Sequence, residues 1–155
     1  MLAPTANYQS TVYGLIKDTV SVEPNAETKE RLIVNRRAVQ ELPEFNACTL
    51  LYRDMFSLPS ASINAGGFYS ATLHFGAPYD RVEYEWEQWL EVFEELLQKM
   101  FWESATVHLE TAVSGTHTYI WEATESSHSP QSGAYEMRCE WIKDNGFYQH
   151  LTYTD

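Results

Sequence analysis

An α+β fold is what this sequence predicts: a mainly antiparallel sheet with two helices packed on one face, in the order β-α-ββ-α-ββ-ββ. Three observations carry that expectation. Segments rich in β-branched and aromatic residues come in consecutive pairs joined by turn residues, as hairpins do. One central stretch repeats apolar side chains at steps of three and four, as an amphipathic helix does. The 155 residues, 44% apolar and 14% aromatic, suit a single domain spanning 1–155 whose core needs neither disulfide nor metal.

Taken in order, residues 11–20 are β-branched and aromatic and run to the turn residues Glu23-Pro24-Asn25, which predicts the first strand. Residues 26–42 place Leu32, Val39 and Leu42 on a helical stripe that Pro43 ends. Leu32-Ile33-Val34 also reads as extended, in which case Asn35 is the N-cap of a shorter helix over 36–42. Residues 47–56 and 68–76 read as two extended segments around a loop of small residues, 57–67. A helix is expected over 81–101, opened by a capping-box-like pair, Asp80 and Glu83. Its stripe is Val82, Trp86, Trp89, Leu90, Phe93, Leu96, Leu97 and Met100.

From Ala105 to Val113 polar and apolar residues alternate, so a strand follows; Ser114-Gly115 is the turn and Thr116–Ala123 the return strand. Pairing across that turn sets Leu109 opposite Ile120 and His108 opposite Trp121. Residues 124–134 read as a loop, and Tyr135–Lys143, Asn145-Gly146 and Phe147–Tyr153 as a last hairpin.

Charge narrows the function classes. Twenty-two acids against ten bases give a net charge of −12, which repels phosphate backbones and anionic lipid headgroups. Nucleic acid and membrane are therefore not expected partners, while a basic protein is. No stretch has the length and apolarity of a signal peptide or a membrane span, so a cytoplasmic location is expected. Cys48 and Cys139 encode no disulfide framework or thiolate metal site, and both fall among apolar residues where a thiol behaves as a small hydrophobe.

Catalytic and cofactor motifs are absent. Glycines 66, 67 and 76 form no phosphate loop, and no serine sits in a G-x-S-x-G elbow. His108-x-Glu110 lacks the downstream Pro-Cys-x-x-Cys that zinc deamination requires. No enzyme activity, cofactor or metal is expected. The alternative chemistry rests on His108, Glu110 and His117, which the hairpin pairing puts on one face with Tyr119 and Trp121 as a possible pocket. The reading favoured over it is that they are half-buried sheet residues beside aromatic neighbours, because most short-range His/Glu groupings in a strand have no catalytic role.

The outer side of the second helix points to a partner. Residues 80–103 hold eight acids against Arg81 and Lys99, half of the chain's excess charge, and Glu83, Glu87, Glu91 and Glu95 step by four into a ridge that Glu94 flanks. Like charges at that spacing destabilise a helix by about 0.2–0.5 kcal/mol per pair, a cost that a cationic partner reverses. Glutamates are also good helix formers that keep a surface soluble, so the ridge has a purely structural reading as well. Lys29, Arg31, Arg36 and Arg37 cluster on the first helix and are the cations available to neutralise the ridge internally.

A small acidic α+β chain that lacks catalytic motifs and has an acid-rich helix and aromatic strands resembles, in architecture and composition, the immunity proteins that neutralise bacterial polymorphic toxins, including those of contact-dependent inhibition and type VI systems; the run Trp86–Leu97 followed by Phe101–Glu110 looks like a family signature of its own. That resemblance implies a bacterial, non-enzymatic inhibitor that binds a cognate, basic toxin and covers its active site; the contact expected from the charge pattern itself, and not from the resemblance, is Glu83, Glu87, Glu91, Glu94 and Glu95. A small-molecule or enzymatic domain using His108, Glu110 and His117, or a structural subunit of a larger assembly, are the rival readings.

Overall fold

A computed structural model describes residues 9–18, 26–46, 49–57, 72–142 and 148–153. Strand β1 (Gln9–Lys17) leads to helix α1 (Ala26–Gln40), a short strand β2 (Phe56–Ser57), β3 (Thr72–Asp80), helix α2 (Trp86–Gln98), and then β4 (Ser104–Thr111), β5 (Gly115–Ala123), β6 (Tyr135–Ile142) and β7 (Tyr148–Tyr153). All strand pairs are antiparallel, in one sheet of order β2-β3-β1-β4-β5-β6-β7. The element order is the expected one. Outside the described residues fall the predicted turns at 23–25 and 145–146, most of the 57–67 loop, and Cys48.

One face of the sheet carries the core. Val12 and Ile16 of β1, Leu73, Phe75 and Ala77 of β3, Ala105, Val107 and Leu109 of β4, and Trp121 of β5 are buried together with Val39 of α1 and Trp89, Phe93, Leu96 and Leu97 of α2. Both helices thus lie on that face, and no described helix covers the other. Alternation along each strand produces this division, because successive side chains point to opposite sides. Aromatic rings link the layers: Phe93 lies 5.5 Å from Phe75 and 5.0 Å from Trp121, and stacks on Trp89 at 5.1 Å.

β1 occupies the interior of the sheet, between β3 and β4, and the approach there is close. A Cβ added at Gly14 would lie 1.9 Å from the Thr106 carbonyl oxygen and 2.9 Å from Phe75 Cζ, so no other residue fits without displacing backbone.

Helix α1 is continuous, so Asn35 is not an N-cap. It is buried in mid-helix, and its amide clamps the chain after α2, donating to the Phe101 carbonyl at 2.9 Å and accepting from the Phe101 N–H at 2.8 Å. That clamp removes Phe101 from the second helix, which ends three residues short of the expected 101. At the other end, Arg81 adopts a left-handed conformation (φ 63°) and Val82–Glu85 form a 3-10 turn, so the regular helix begins at Trp86. Neither Arg81 nor Glu85, at the two N-cap positions, caps with its own side chain, contrary to the Asp80/Glu83 expectation. Instead, buried Ser10 accepts the Val82 N–H at 3.1 Å, because β3 stays paired as far as Asp80 and the chain must reverse within one residue.

Two strand expectations need correction. Of the described residues 49–56, only Phe56 is in a strand: Arg53–Met55 is a 3-10 turn, and Leu51, Met55 and Phe56 enter the core at spacings that do not alternate. The third strand is described over Thr72–Asp80 and ends four residues beyond the expected 76, while residues 68–71 of that expectation lie outside the described residues. Pro78 is accommodated because β2 reaches only His74 and Phe75, so that among the described residues that end of β3 has a paired strand on one side.

The β4–β5 register differs from the expected one by three. His108 pairs with Thr118 and Leu109 with His117, around a three-residue connection, Ala112-Val113-Ser114. Gly115, at φ 77°, closes it, and Thr111 Oγ1 accepts the Ser114 N–H at 2.9 Å. Gly115 is thus the left-handed residue that follows a longer loop, not half of a two-residue turn. Because the shift is odd, it moves every β5 side chain to the opposite face relative to β4.

Candidate functional site

The amphipathic character of α2 decides which acids face outward. With Trp89, Phe93, Leu96 and Leu97 buried against the sheet, Glu87, Glu91 and Glu95 emerge on the exposed side. The described ion pairs lie elsewhere: Arg31 with Asp18, Arg53 with Glu44 at 3.8 Å, and Arg138 with Glu122 at 2.7 Å and Glu140 at 3.5 Å. Among the described residues, none joins a cation to Glu87, Glu91 or Glu95. Arg31, one of the first-helix cations able to neutralise the ridge, also lies 4.6 Å above the Phe101 ring.

Two of the five expected contact acids do not belong to this row. Glu94 is half-buried and turned to the sheet, where its Oε2 accepts the Trp121 Nε1–H at 3.0 Å and the Tyr135 hydroxyl at 3.2 Å. It follows Leu90 by four residues and precedes Leu97 by three, and that position on the flank of the apolar stripe is the signal that sets it apart from Glu95. Glu83 falls in the 3-10 turn, outside the four-residue step of the helix, half-buried with Oε1 shielded and without a hydrogen-bond partner among the described residues.

Residues the sequence did not single out extend the row instead. Tyr84, 80% exposed, and exposed Glu85 precede the helix, and with Glu83, Trp86, Glu87 and Gln88 they line a shallow open recess of about 310 Å³. Trp86 stacks on Trp89 at 4.8 Å and lies 5.2 Å from Tyr119, which gives the recess an aromatic wall packed on the core. Their exposure follows from the 3-10 turn, which helical periodicity does not predict.

The alternative pocket does not assemble. His108 and Glu110 lie on the open face, whereas His117, Tyr119 and Trp121 lie on the face that the helices cover, as the register requires. His108 Nδ1 is 2.9 Å from Thr118 Oγ1, and its ring is 4.9 Å from that of Tyr13. Burial lowers the His108 pKa against the opposing pull of Glu110, and burial together with Glu110 raises that of Tyr13. His117 is also lowered by burial, and its Nε2 is 3.1 Å from Ser114 Oγ. Trp121 is fully buried and already committed to Glu94.

Among the described residues no group of three or more His, Cys, Asp or Glu is placed to hold a metal ion. Cys139 is buried and free, and burial pushes its thiol pKa up, so it is a packed side chain of low reactivity. No described helix is long and apolar enough to cross a membrane. No protein-family model matches the chain, and neither a curated protein nor a solved structure does.

Proposed function

We propose that this chain is a non-enzymatic protein-binding inhibitor of the immunity type, acting in the bacterial cytoplasm on a basic toxin. The contact is the exposed side of α2, comprising Glu85, Glu87, Glu91 and Glu95 with Tyr84 at the rim. One observation carries the reading: the row of glutamates is exposed and meets no internal cation among the described residues, while Arg31, Arg53 and Arg138 pair with acids elsewhere. Like charges four apart on one helix favour a partner that supplies the opposite charge. Such a field accelerates association with a cationic surface, and an exposed aromatic side chain such as Tyr84, once buried against the partner, slows dissociation. The separation of His108 and Glu110 from His117, Tyr119 and Trp121 removes the main support for a catalytic pocket.

The test is binding to the purified protein encoded by the neighbouring gene, since inhibitors of this kind are expected beside their targets. Glu87→Lys, Glu91→Lys and Glu95→Lys together should weaken binding by at least about 100-fold, with an unchanged circular dichroism spectrum; pairs of close interfacial charges are worth about 1.5–7 kcal/mol. Undiminished affinity in the triple variant would refute the acidic row as the contact.

A further inference from the structure

His128 is the least expected residue of the core. Residues 124–134 connect β5 to β6 and pass beneath the end of α2, and His128 at their centre is fully buried. Its backbone pairs with Trp102 in both directions, accepting from the Trp102 N–H at 3.2 Å and donating to the Trp102 carbonyl at 2.6 Å. Its ring stacks on the Trp102 indole at 4.8 Å and meets the Tyr135 ring edge-on at 5.9 Å.

The two ring nitrogens have fixed and opposite roles. Nδ1 lies 3.0 Å from the Met100 carbonyl, which only accepts, so Nδ1 carries the hydrogen. Nε2 lies 3.3 Å from the Gly133 N–H, which only donates, so Nε2 must present its lone pair. The site holds neutral imidazole in one tautomer and has no place for a second ring proton.

We propose that residues 124–134 form an acid-released strap, locked to Trp102 and the end of α2 by neutral His128 and freed when Nε2 takes up a proton. The added N–H would oppose the Gly133 N–H and leave a charge without water in a fully buried site. With His128 displaced, the strap loses its bridge to Trp102 and the neighbouring tie of Gln131 N–H to the Gln98 carbonyl, 2.8 Å. Trp102 and the last turn of α2 are then exposed.

The groups facing the ring come from three elements. β6 contributes the neutral Tyr135, and α2 contributes Glu94, which takes the Tyr135 hydroxyl, and the Met100 carbonyl just beyond its end. Lys99 and Glu103, flanking Met100–Trp102, and Glu125 of the strap are exposed. Burial is the largest influence and lowers the His128 pKa below 6.5; the Met100 carbonyl opposes it. The folded form therefore binds fewer protons than the unfolded one, so the strap's stability is complete above about pH 6.5 and is lost as pH falls from there towards the folded pKa.

This inference does not depend on the binding reading, and its test uses the whole protein alone. Amide exchange of wild type, normalised to intrinsic rates, is followed from about pH 7.5 to about pH 5. Protection at Trp102, Gln131 and Gly133 should fall by up to about tenfold per pH unit below pH 6.5, while β1 and β4 amides hold. In His128→Phe, which keeps a stacking ring but cannot titrate, strap protection should not change with pH. Flat protection in wild type, or an equal fall in His128→Phe, overturns the proposal. Should that variant fail to fold, the wild-type ring nitrogens decide: a neutral Nδ1–H tautomer at neutral pH whose protonation coincides with strap opening supports the strap, and a His128 that titrates without opening overturns it.

Discussion

Glu94 illustrates how one side chain can leave a surface and join the core. Its carboxylate serves two buried-side donors at once, Trp121 Nε1–H and the Tyr135 hydroxyl, tying α2 to β5 and β6. Glu94→Ala strands the indole N–H of a fully buried tryptophan, so it should lower unfolding free energy by about 1–3 kcal/mol. Glu94→Gln, whose amide oxygen still accepts, should lose less, and Glu91→Ala on the exposed side should stay within about 0.5 kcal/mol. Urea denaturation of the three variants measures this, and equal stabilities throughout would mean that the ties contribute nothing. Composition cannot distinguish Glu94 from Glu95; helical phase against Leu90 and Leu97 can, to within a residue. For His108 and His117 the sequence supplied the right residue types and the wrong faces, because a face assignment inherits any error in register.

At the scale of elements, what was legible had a strong period. The stripe from Trp86 to Leu97 is present as read, and so is the alternation of β4 from Ala105 to Leu109, because each repeats long enough to identify its burial face; Val113, read as part of that alternation, lies exposed in the connection to β5. What was not legible depends on partners distant in sequence. Ser10 and the pairing of β3 set the start of α2, and Asn35 sets its end. The segment before β2 is apolar like a strand but fills the core as a turn, with Leu51 and Met55 buried. Gly14 belongs to the same class, since only its position between β3 and β4 makes a side chain impossible. Gly14→Ala should destabilise the fold by about 1–3 kcal/mol or more through overpacking in the sheet interior. A shift in the urea midpoint measures it, and a neutral result would mean that β1 can move aside.

For the molecule as a whole, antiparallel pairing and the layering of two helices on one face were readable from the succession of elements. The interior place of β1 was not, because its neighbours β3 and β4 are not adjacent to it in sequence. The charge distribution was readable only in part. The net charge of −12 is a property of composition, but its placement depends on which arginines turn away from α2 and which glutamates turn in. What emerges is a helix that is a structural wall on one side and, on the other, an exposed row of carboxylates that no ion pair among the described residues neutralises. The most direct measurement of its purpose is a hydrogen-exchange footprint of the protein with and without the purified product of the neighbouring gene. New protection over residues 84–95, diminishing as salt is raised, is the predicted result. Protection confined to the open sheet face around Tyr13 and His108, with residues 84–95 unchanged, would contradict it.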